Sequence, residues 1–285
     1  MQSILTWLAP WDFSPTVLVA SLAVCGLYIS GMLARRRAGT PTGFWRSTSF
    51  FSGIVLIYAV LQTHFDYFAQ HMFWIHRLQH LVLHHLAPFL IVLAVPQAIM
   101  ASGIPRRLRE GLLIPLWRSR GVQITYQFIQ QPLVAAVLFV GLIYYWLIPS
   151  VHFKAMLDAS LYNLMNWSMA LDGLLFWWLI LDPRSREQGA RARFGTRLLL
   201  VLAVMIPQLM LGSYIALSRT DLYTVYAICG RISPISPITD QHIGGLITWI
   251  PSCMMSVVAA LIVFSRWTRR DSSYHRLIQH PATST

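Results

Sequence analysis

The chain has 285 residues, of which 56% are hydrophobic and only 11% are charged. Soluble domains carry about 25% charged residues, so this composition excludes a soluble globular protein and indicates one integral membrane domain. The net charge of +12 is common among nucleic-acid-binding proteins. In a membrane protein, however, basic residues gather in cytoplasmic loops, and we expect no nucleic-acid partner.

Seven apolar runs are long enough to cross about 30 Å of hydrocarbon. They cover residues 15–34, 44–62, 78–102, 129–149, 157–181, 195–217 and 243–266. Helix is expected in each run because an open strand in lipid leaves backbone groups unpaired. The opening stretch MQSILTWLAPWDFSP lacks a basic region and a small-residue cleavage site, so no cleaved signal peptide is expected. The sequence therefore predicts an all-α bundle of seven transmembrane helices, followed by a tail at residues 267–285.

The arginines orient this bundle. Most of the 22 lysines and arginines follow the first, third, fifth and seventh runs, for example Arg35, Arg36, Arg106, Arg107, Arg184, Arg186, Arg269 and Arg270. The opposite side holds only Arg77, Lys154, Arg219 and Arg231. By the positive-inside rule, the N-terminus is predicted outside and the C-terminus, with the tail, in the cytoplasm.

Histidines cluster on the predicted outer side, above all in HMFWIHRLQHLVLHHLAPFL, residues 71–90. On a helix, His76, His80 and His84 lie within about 80° of one another. The four-residue spacing of His76 and His80 lets two imidazoles share one metal ion, and neutral imidazole binds Cu, Zn, Fe or Ni. We predict His76 and His80 as metal ligands, with His84 as a third candidate. Histidines at this depth also serve as anchors or as hydrogen-bond partners of neighbouring helices, which remains open.

Pro88 should affect the same helix. It lacks the N–H that would bond the carbonyl of His84, so a freed carbonyl and a kink are expected there.

The fifth run carries a second polar face. Asp158, Tyr162, Met165, Met169 and Asp172 fall within about 80° on a helical wheel. Asp172 lies well inside the bilayer, where a carboxylate marks a functional site or a hydrogen bond to another helix. The Met165 and Met169 thioethers suit copper(I), although such a pair also occurs as plain packing.

Asp240 and His242 precede the last run. Asp240 is interpreted as a cap of the helix that follows, as a metal ligand, or as a hydrogen-bond partner of one. His242 is a further candidate ligand. Gly244 and Gly245 allow a close approach of helices. The chain contains none of the common hydrolase, nucleotide or metalloprotease motifs, so we expect no enzyme.

Three segments carry a family resemblance: HRLQHLVLHHLAPFLIVLAVP (His76–Pro96), GLLFWW (Gly173–Trp178) and DQHIGGLITWIP (Asp240–Pro251). They resemble the CtaG family of the caa3-oxidase type, bacterial membrane proteins implicated in cytochrome c oxidase assembly. The family's H-x-x-x-H corresponds to His76 and His80, and its D-Q-x-x-G-G begins at Asp240. Many members carry histidines in the fifth helix where this chain has Tyr162 and Asn166.

The resemblance implies an assembly factor for a haem–copper oxidase in the bacterial plasma membrane. Its expected cargo is copper, held near the periplasmic face by His76, His80, Asp240 or His242, and by Met165 or Met169. Expected partners are oxidase subunits and a periplasmic copper donor. Two alternatives stay open: a transporter of copper or protons with Asp172 and His84 along its path, and a metal-free scaffold for oxidase subunits.

Overall fold

The computed structural model describes residues 12–279, with side chains up to residue 270. The opening stretch up to residue 11 and residues 280–285 of the predicted tail lie outside the described residues. The described chain is helical and contains no strand. Its helices are α1 (Pro15–Arg37), α2 (Phe44–Gln62), α3 (His64–His71), α4 (Phe73–Leu93), α5 (Pro96–Gly103), α6 (106–118), α7 (Arg120–Ile129), α8 (Pro132–Leu147), α9 (Pro149–Leu157), α10 (Ala159–Leu181), α11 (Phe194–Leu217), α12 (Val225–Cys229) and α13 (Pro237–Gln279).

Five of the described helices are long and apolar enough to cross a membrane: α1, α2, α10, α11 and α13. Two bent pairs bring the number to as many as seven, since α4 meets α5 at 67° and α7 meets α8 at 70°. An all-helical membrane bundle is therefore confirmed, and a count of seven requires each bent pair to be one span.

Proline sets both bends. Val95 has the left-handed φ of 51° directly before Pro96, and Gln131 is extended before Pro132. The right-handed helical region is disfavoured for a residue that precedes a proline. The predicted third helix, 78–102, thus begins earlier, at Phe73, and breaks at Val95. The predicted fourth, 129–149, begins after a separate α7, and the predicted last helix continues past residue 266 into the tail.

Consecutive spans alternate in direction, so the segments 63–72, 148–158 and 218–236 gather at one end of the bundle. Their side chains meet there: the His152 ring packs against Phe73 and Tyr226, with centroid distances of 5.9 and 5.8 Å. This end is called the histidine end below. The arginine-rich segments at 35–46, 104–120 and 182–193 lie at the opposite end.

The region before Pro88 is a π-helical turn, Val82–Leu86, within α4. Ala87 N–H donates to Val82 O, five residues back, instead of forming the usual bond. The freed carbonyl of His84 accepts from Trp177 Nε1 at 3.1 Å. Pro88 thus follows a widened turn whose free carbonyl makes a contact with α10.

Gly173 lets α10 approach this carbonyl. A Cβ at Gly173 would lie 2.4 Å from His84 O, so Gly173→Ala should force α4 and α10 apart. We expect the substitution to lower the free energy of unfolding by about 1–3 kcal/mol, measured by thermal unfolding in detergent. Gly141→Ala is the control, because a Cβ there meets nothing within 4 Å. Equal melting temperatures for the two variants would contradict the close contact.

Candidate metal site

His76 and His80 lie one turn apart in α4, with their ring centroids 4.4 Å apart. Their exposed fractions are 0% and 1%. None of their four ring nitrogens has a hydrogen-bond partner within the described part of the chain, although Asn166 of α10 lies beside His80, outside standard hydrogen-bond geometry. Buried polar atoms in proteins are nearly always hydrogen-bonded. Four unpaired nitrogens on adjacent rings therefore indicate a binding site for a ligand.

His152 of α9 is a neighbour of this pair that the sequence did not single out. Its ring centroid lies 5.0 Å from that of His76. Both of its nitrogens are engaged, Nδ1 with Trp146 O at 3.1 Å and Nε2 with the Tyr226 hydroxyl at 3.0 Å. Burial, aided by the charge of Arg77, lowers the pKa of His152 to about 3. His152 is therefore uncharged at neutral pH, and its ring lines the site. Its isolated position in the sequence gave no signal of this contact.

His84, predicted as a third ligand, is held elsewhere. Its Nε2 lies 3.0 Å from Asp172 Oδ2 of α10, and only its Nδ1 is unpartnered. His85 Nε2 lies 3.3 Å from Gln208 Oε1 of α11. His84 and His85 lie within the π-turn, and both line one small cavity together with His80. Asp172 thus has the interhelical partner that an intramembrane carboxylate needs.

Asp240 neither caps its own helix nor reaches the histidine pair through any bond among the described residues. Its carboxylate accepts from the backbone N–H groups of Phe73 and Trp74, at 3.1 and 2.8 Å, and pairs with Arg231. It therefore caps α4, the helix that carries His76 and His80. Ser236 accepts from Thr239 N at 3.1 Å and takes the capping position of α13.

Of the remaining predicted residues, His242 and Asp158 form hydrogen bonds to the backbone, and the two methionines are buried. His242 is half-buried, and its Nε2 lies 3.1 Å from Ser218 O. Asp158 caps α10 by accepting from Leu161 N at 2.9 Å. Met165 and Met169 are buried inside the bundle. Met169 lines a cavity of about 10 Å³, the size of one water or ion, together with His80, His84, His85 and Arg77.

Tyr162 and Asn166 occupy the α10 positions beside the pair. The Tyr162 ring centroid lies 6.1 Å from that of His76. The Tyr162 hydroxyl donates to Asp66 Oδ1 at 2.8 Å, and Gln79 Nε2 donates to the same oxygen at 2.7 Å. Burial raises the pKa of Asp66, while the hydrogen bonds from Tyr162, Gln79 and Gln70 oppose the shift. Tyr162 is thus anchored by a carboxylate at the histidine end.

A cavity of about 410 Å³ opens beyond these two residues and is called the vestibule below. Its lining includes Asp12, Asp66, Asp158, Tyr162 and Asn166, and no lysine, arginine or histidine of the described chain. Asn166 is 2% exposed, and its Oδ1 has no hydrogen-bond partner among residues 12–279. Tyr162 and Asn166 therefore separate an acidic vestibule from the histidine pair.

The donors at this site are imidazole nitrogens and a thioether. Within residues 12–279, no three His, Cys, Asp or Glu side chains stand close enough to form a closed metal site. Two neutral imidazoles with free nitrogens, near a thioether, suit copper(I), which accepts nitrogen and sulfur ligands. The arrangement leaves positions open to a ligand from another molecule.

Comparisons with known proteins agree with the motifs. A sequence model of the family described as cytochrome c oxidase caa3 assembly factor matches residues 26–270. An uncharacterized protein of Mycobacterium leprae is 25% identical over 94% of this chain and 41% of its own length. One of Mycobacterium bovis is 26% identical over 93% of this chain and 40% of its own length. This chain thus spans about two fifths of the curated relatives it matches.

No solved structure matches the chain. The family match nevertheless covers the histidine pair, the Gly173 contact and the Asp240 cap in a single stretch. On that evidence the protein belongs to the family of caa3-type cytochrome c oxidase assembly factors.

Proposed function

We propose that this protein holds a copper ion transiently at His76 and His80 and passes it to an oxidase subunit in the same bacterial plasma membrane. The family supplies the role in oxidase assembly. The observation that carries the copper role is the pair of buried imidazoles with four free ring nitrogens. Handing over an ion makes no covalent bond, so the proposed role is not enzymatic.

The coordination chemistry supports release as well as binding. Two imidazoles leave a copper(I) ion able to accept another ligand, so an incoming side chain of the oxidase can take the ion in steps. Met169 offers a thioether beside His80. A closed set of four ligands would hold the ion too firmly for delivery.

The vestibule provides a route by which the ion reaches the pair. Three carboxylates, those of Asp12, Asp66 and Asp158, attract a cation. The unpartnered Oδ1 of Asn166 stands between the vestibule and His80. From the positive-inside rule we infer that this end faces the periplasm, where a copper donor protein would dock.

Transport is the second candidate, because polar groups continue past the pair. His80 lines the small cavity with His84, and His84 meets Asp172 deeper in the bundle at 3.0 Å. A transporter would move copper or protons along this row, so copper accumulation in sealed vesicles would require Asp172. The delivery role predicts no accumulation. A metal-free scaffold predicts that ligand substitutions have no effect at all.

The decisive experiment is made in cells whose sole copy carries His76→Ala and His80→Ala. We expect the oxidase to be produced with most of its copper missing, measured by metal analysis of the purified oxidase. His242→Ala is the matched control, since that histidine lies at the same end and its Nε2 contacts Ser218 O instead of the pair. Full oxidase copper content in the double variant would refute the proposal and favour the scaffold.

A further inference from the structure

Arg77 is a buried cation in α4. It is 4% exposed, and its Nε donates to Thr248 Oγ1 of α13 at 2.9 Å. The Thr248 hydroxyl in turn donates to Gly244 O at 2.9 Å. A Cβ at Gly244 would lie 2.4 Å from Phe73 Cδ1 and 3.2 Å from Arg77 Cγ, so the glycine leaves room for the Phe73 ring and for the arginine stem.

No carboxylate in the described part of the chain forms an ion pair with Arg77. Asp172 is paired with His84 and Asp240 with Arg231, and Asp66 accepts from three neutral donors. A guanidinium stays protonated in proteins. An isolated charge at this depth is expensive, so such residues mark functional sites in membrane proteins.

The position of this charge relates it to the histidine pair. Arg77 follows His76 in the chain and precedes His80 by three residues, and it lines the same small cavity as His80 and Met169. Its charge acts on both rings of the pair. Any cation bound by His76 and His80 therefore sits beside a fixed positive charge.

We propose that Arg77 determines which ions the pair accepts, selecting a monovalent ion such as copper(I) against divalent ions such as zinc(II) and copper(II). This inference rests on the proposed function. Coulomb repulsion scales with the charge of the ion, so the factor by which Arg77 weakens divalent binding is the square of the monovalent factor. A tenfold penalty for copper(I), about 1.4 kcal/mol, becomes about a hundredfold for zinc(II).

The repulsion between Arg77 and the bound ion also favours delivery of the ion to another protein. A monovalent ion is held less firmly than the imidazoles alone would hold it, so it leaves more readily. The acidic vestibule gathers cations of any charge, whereas Arg77 acts at the pair itself. The vestibule carboxylates thus collect cations, and Arg77 selects among them by charge.

The test measures the affinities of the full-length protein, purified in detergent, for Ag(I) and for Zn(II). Ag(I) is a redox-inert probe for copper(I). In Arg77→Met we expect Ag(I) affinity to rise about tenfold and Zn(II) affinity about a hundredfold. The wild-type preference for the monovalent ion should therefore fall about tenfold in this variant.

Three controls separate charge from structure. Arg77→Lys keeps the charge and should keep the preference. Thr248→Val breaks the hydrogen bond but keeps the charge, and should also keep it. Arg219→Met removes an exposed arginine at the histidine end and should change neither affinity. Arg77→Gln is the second neutral variant, should Arg77→Met fail to fold.

The two proposals fail in different ways. Wild-type protein that binds neither ion refutes the copper site and the selectivity with it. Wild-type protein that binds Ag(I), with neutral variants of unchanged preference, refutes the role of Arg77 and leaves the copper site standing. A loss of preference in Thr248→Val equal to that in Arg77→Met would assign the effect to packing and also overturn the inference.

Discussion

A double variant with His76→Leu and His80→Leu is expected to unfold at a higher temperature than the wild type in metal-free detergent solution. Each imidazole buries one donor and one acceptor that have no partner among the described residues. An unsatisfied buried group costs about 1–3 kcal/mol, and leucine fills a similar space without polar atoms. We expect a gain on the order of 3 kcal/mol for the pair, read from thermal or denaturant unfolding.

The same variant should lose the response to metal. A ligand that binds only the folded state stabilises it by about 2.7 kcal/mol at a hundredfold excess over its dissociation constant. Wild-type protein should show such a shift with Ag(I), and the double variant none. Greater stability together with lost metal binding is the result expected for a functional site whose residues lower the stability of the fold.

His152→Leu is the matched control for this experiment. His152 is equally buried and lies in the same cluster, but both of its ring nitrogens are bonded, to Trp146 O and to the Tyr226 hydroxyl. Its substitution leaves those groups unpaired and should lower the free energy of unfolding by about 1–3 kcal/mol. If the His76/His80 variant is destabilised to a similar degree, the pair is structural and the ligand assignment is wrong.

Much of the fold follows from the sequence because hydropathy and chain breakers are local signals. The apolar run 44–62 coincides with α2, Phe44–Gln62, since both of its ends lie at turns of the chain. The bends at Val95 and Gln131 follow equally local proline rules, although the angle of each bend depends on packing. Periodicity alone did not foresee the π-turn at Val82–Leu86, because it shifts the helical phase within a continuous apolar segment.

The candidate site was only partly accessible to sequence reasoning. His76 and His80 share a face through their spacing alone, and the structure keeps their rings adjacent. The partners of His84 and of Asp240 are set by contacts between helices that are distant in the chain. From the sequence, Arg77 was recognised only as a basic residue on the less basic side of the membrane. Whether a carboxylate pairs with it depends on contacts between helices, which no local pattern shows.

Asp240→Ala is expected to destabilise the protein by about 3 kcal/mol or more, since removing one partner of a buried ion pair costs roughly 3–5 kcal/mol. The carboxylate is 0% exposed, accepts from Phe73 N and Trp74 N, and pairs with Arg231. Met72, the residue before α4, supplies no side-chain cap of its own. The first turn of α4 should therefore fray, seen as faster hydrogen exchange at the Phe73 and Trp74 amides.

Asp158→Ala provides the comparison within the same molecule. Asp158 also caps a helix, but it is exposed, has no ion pair among the described residues and accepts only from Leu161 N. Its loss should cost about 1 kcal/mol, as is usual for a helix cap. Asp240→Asn should fall between these values, because the amide oxygen keeps part of the capping but not the charge.

Metal binding then separates the two roles open to Asp240. As the cap that positions α4, Asp240 should affect Ag(I) affinity only in proportion to the disorder of the first turn, so Asp240→Asn should bind nearly as well as the wild type. A ligand would behave in the opposite way. Asp240→Asn would then remain folded and lose its affinity, and this result would place the metal at the start of α4, closer to Phe73 than to His80.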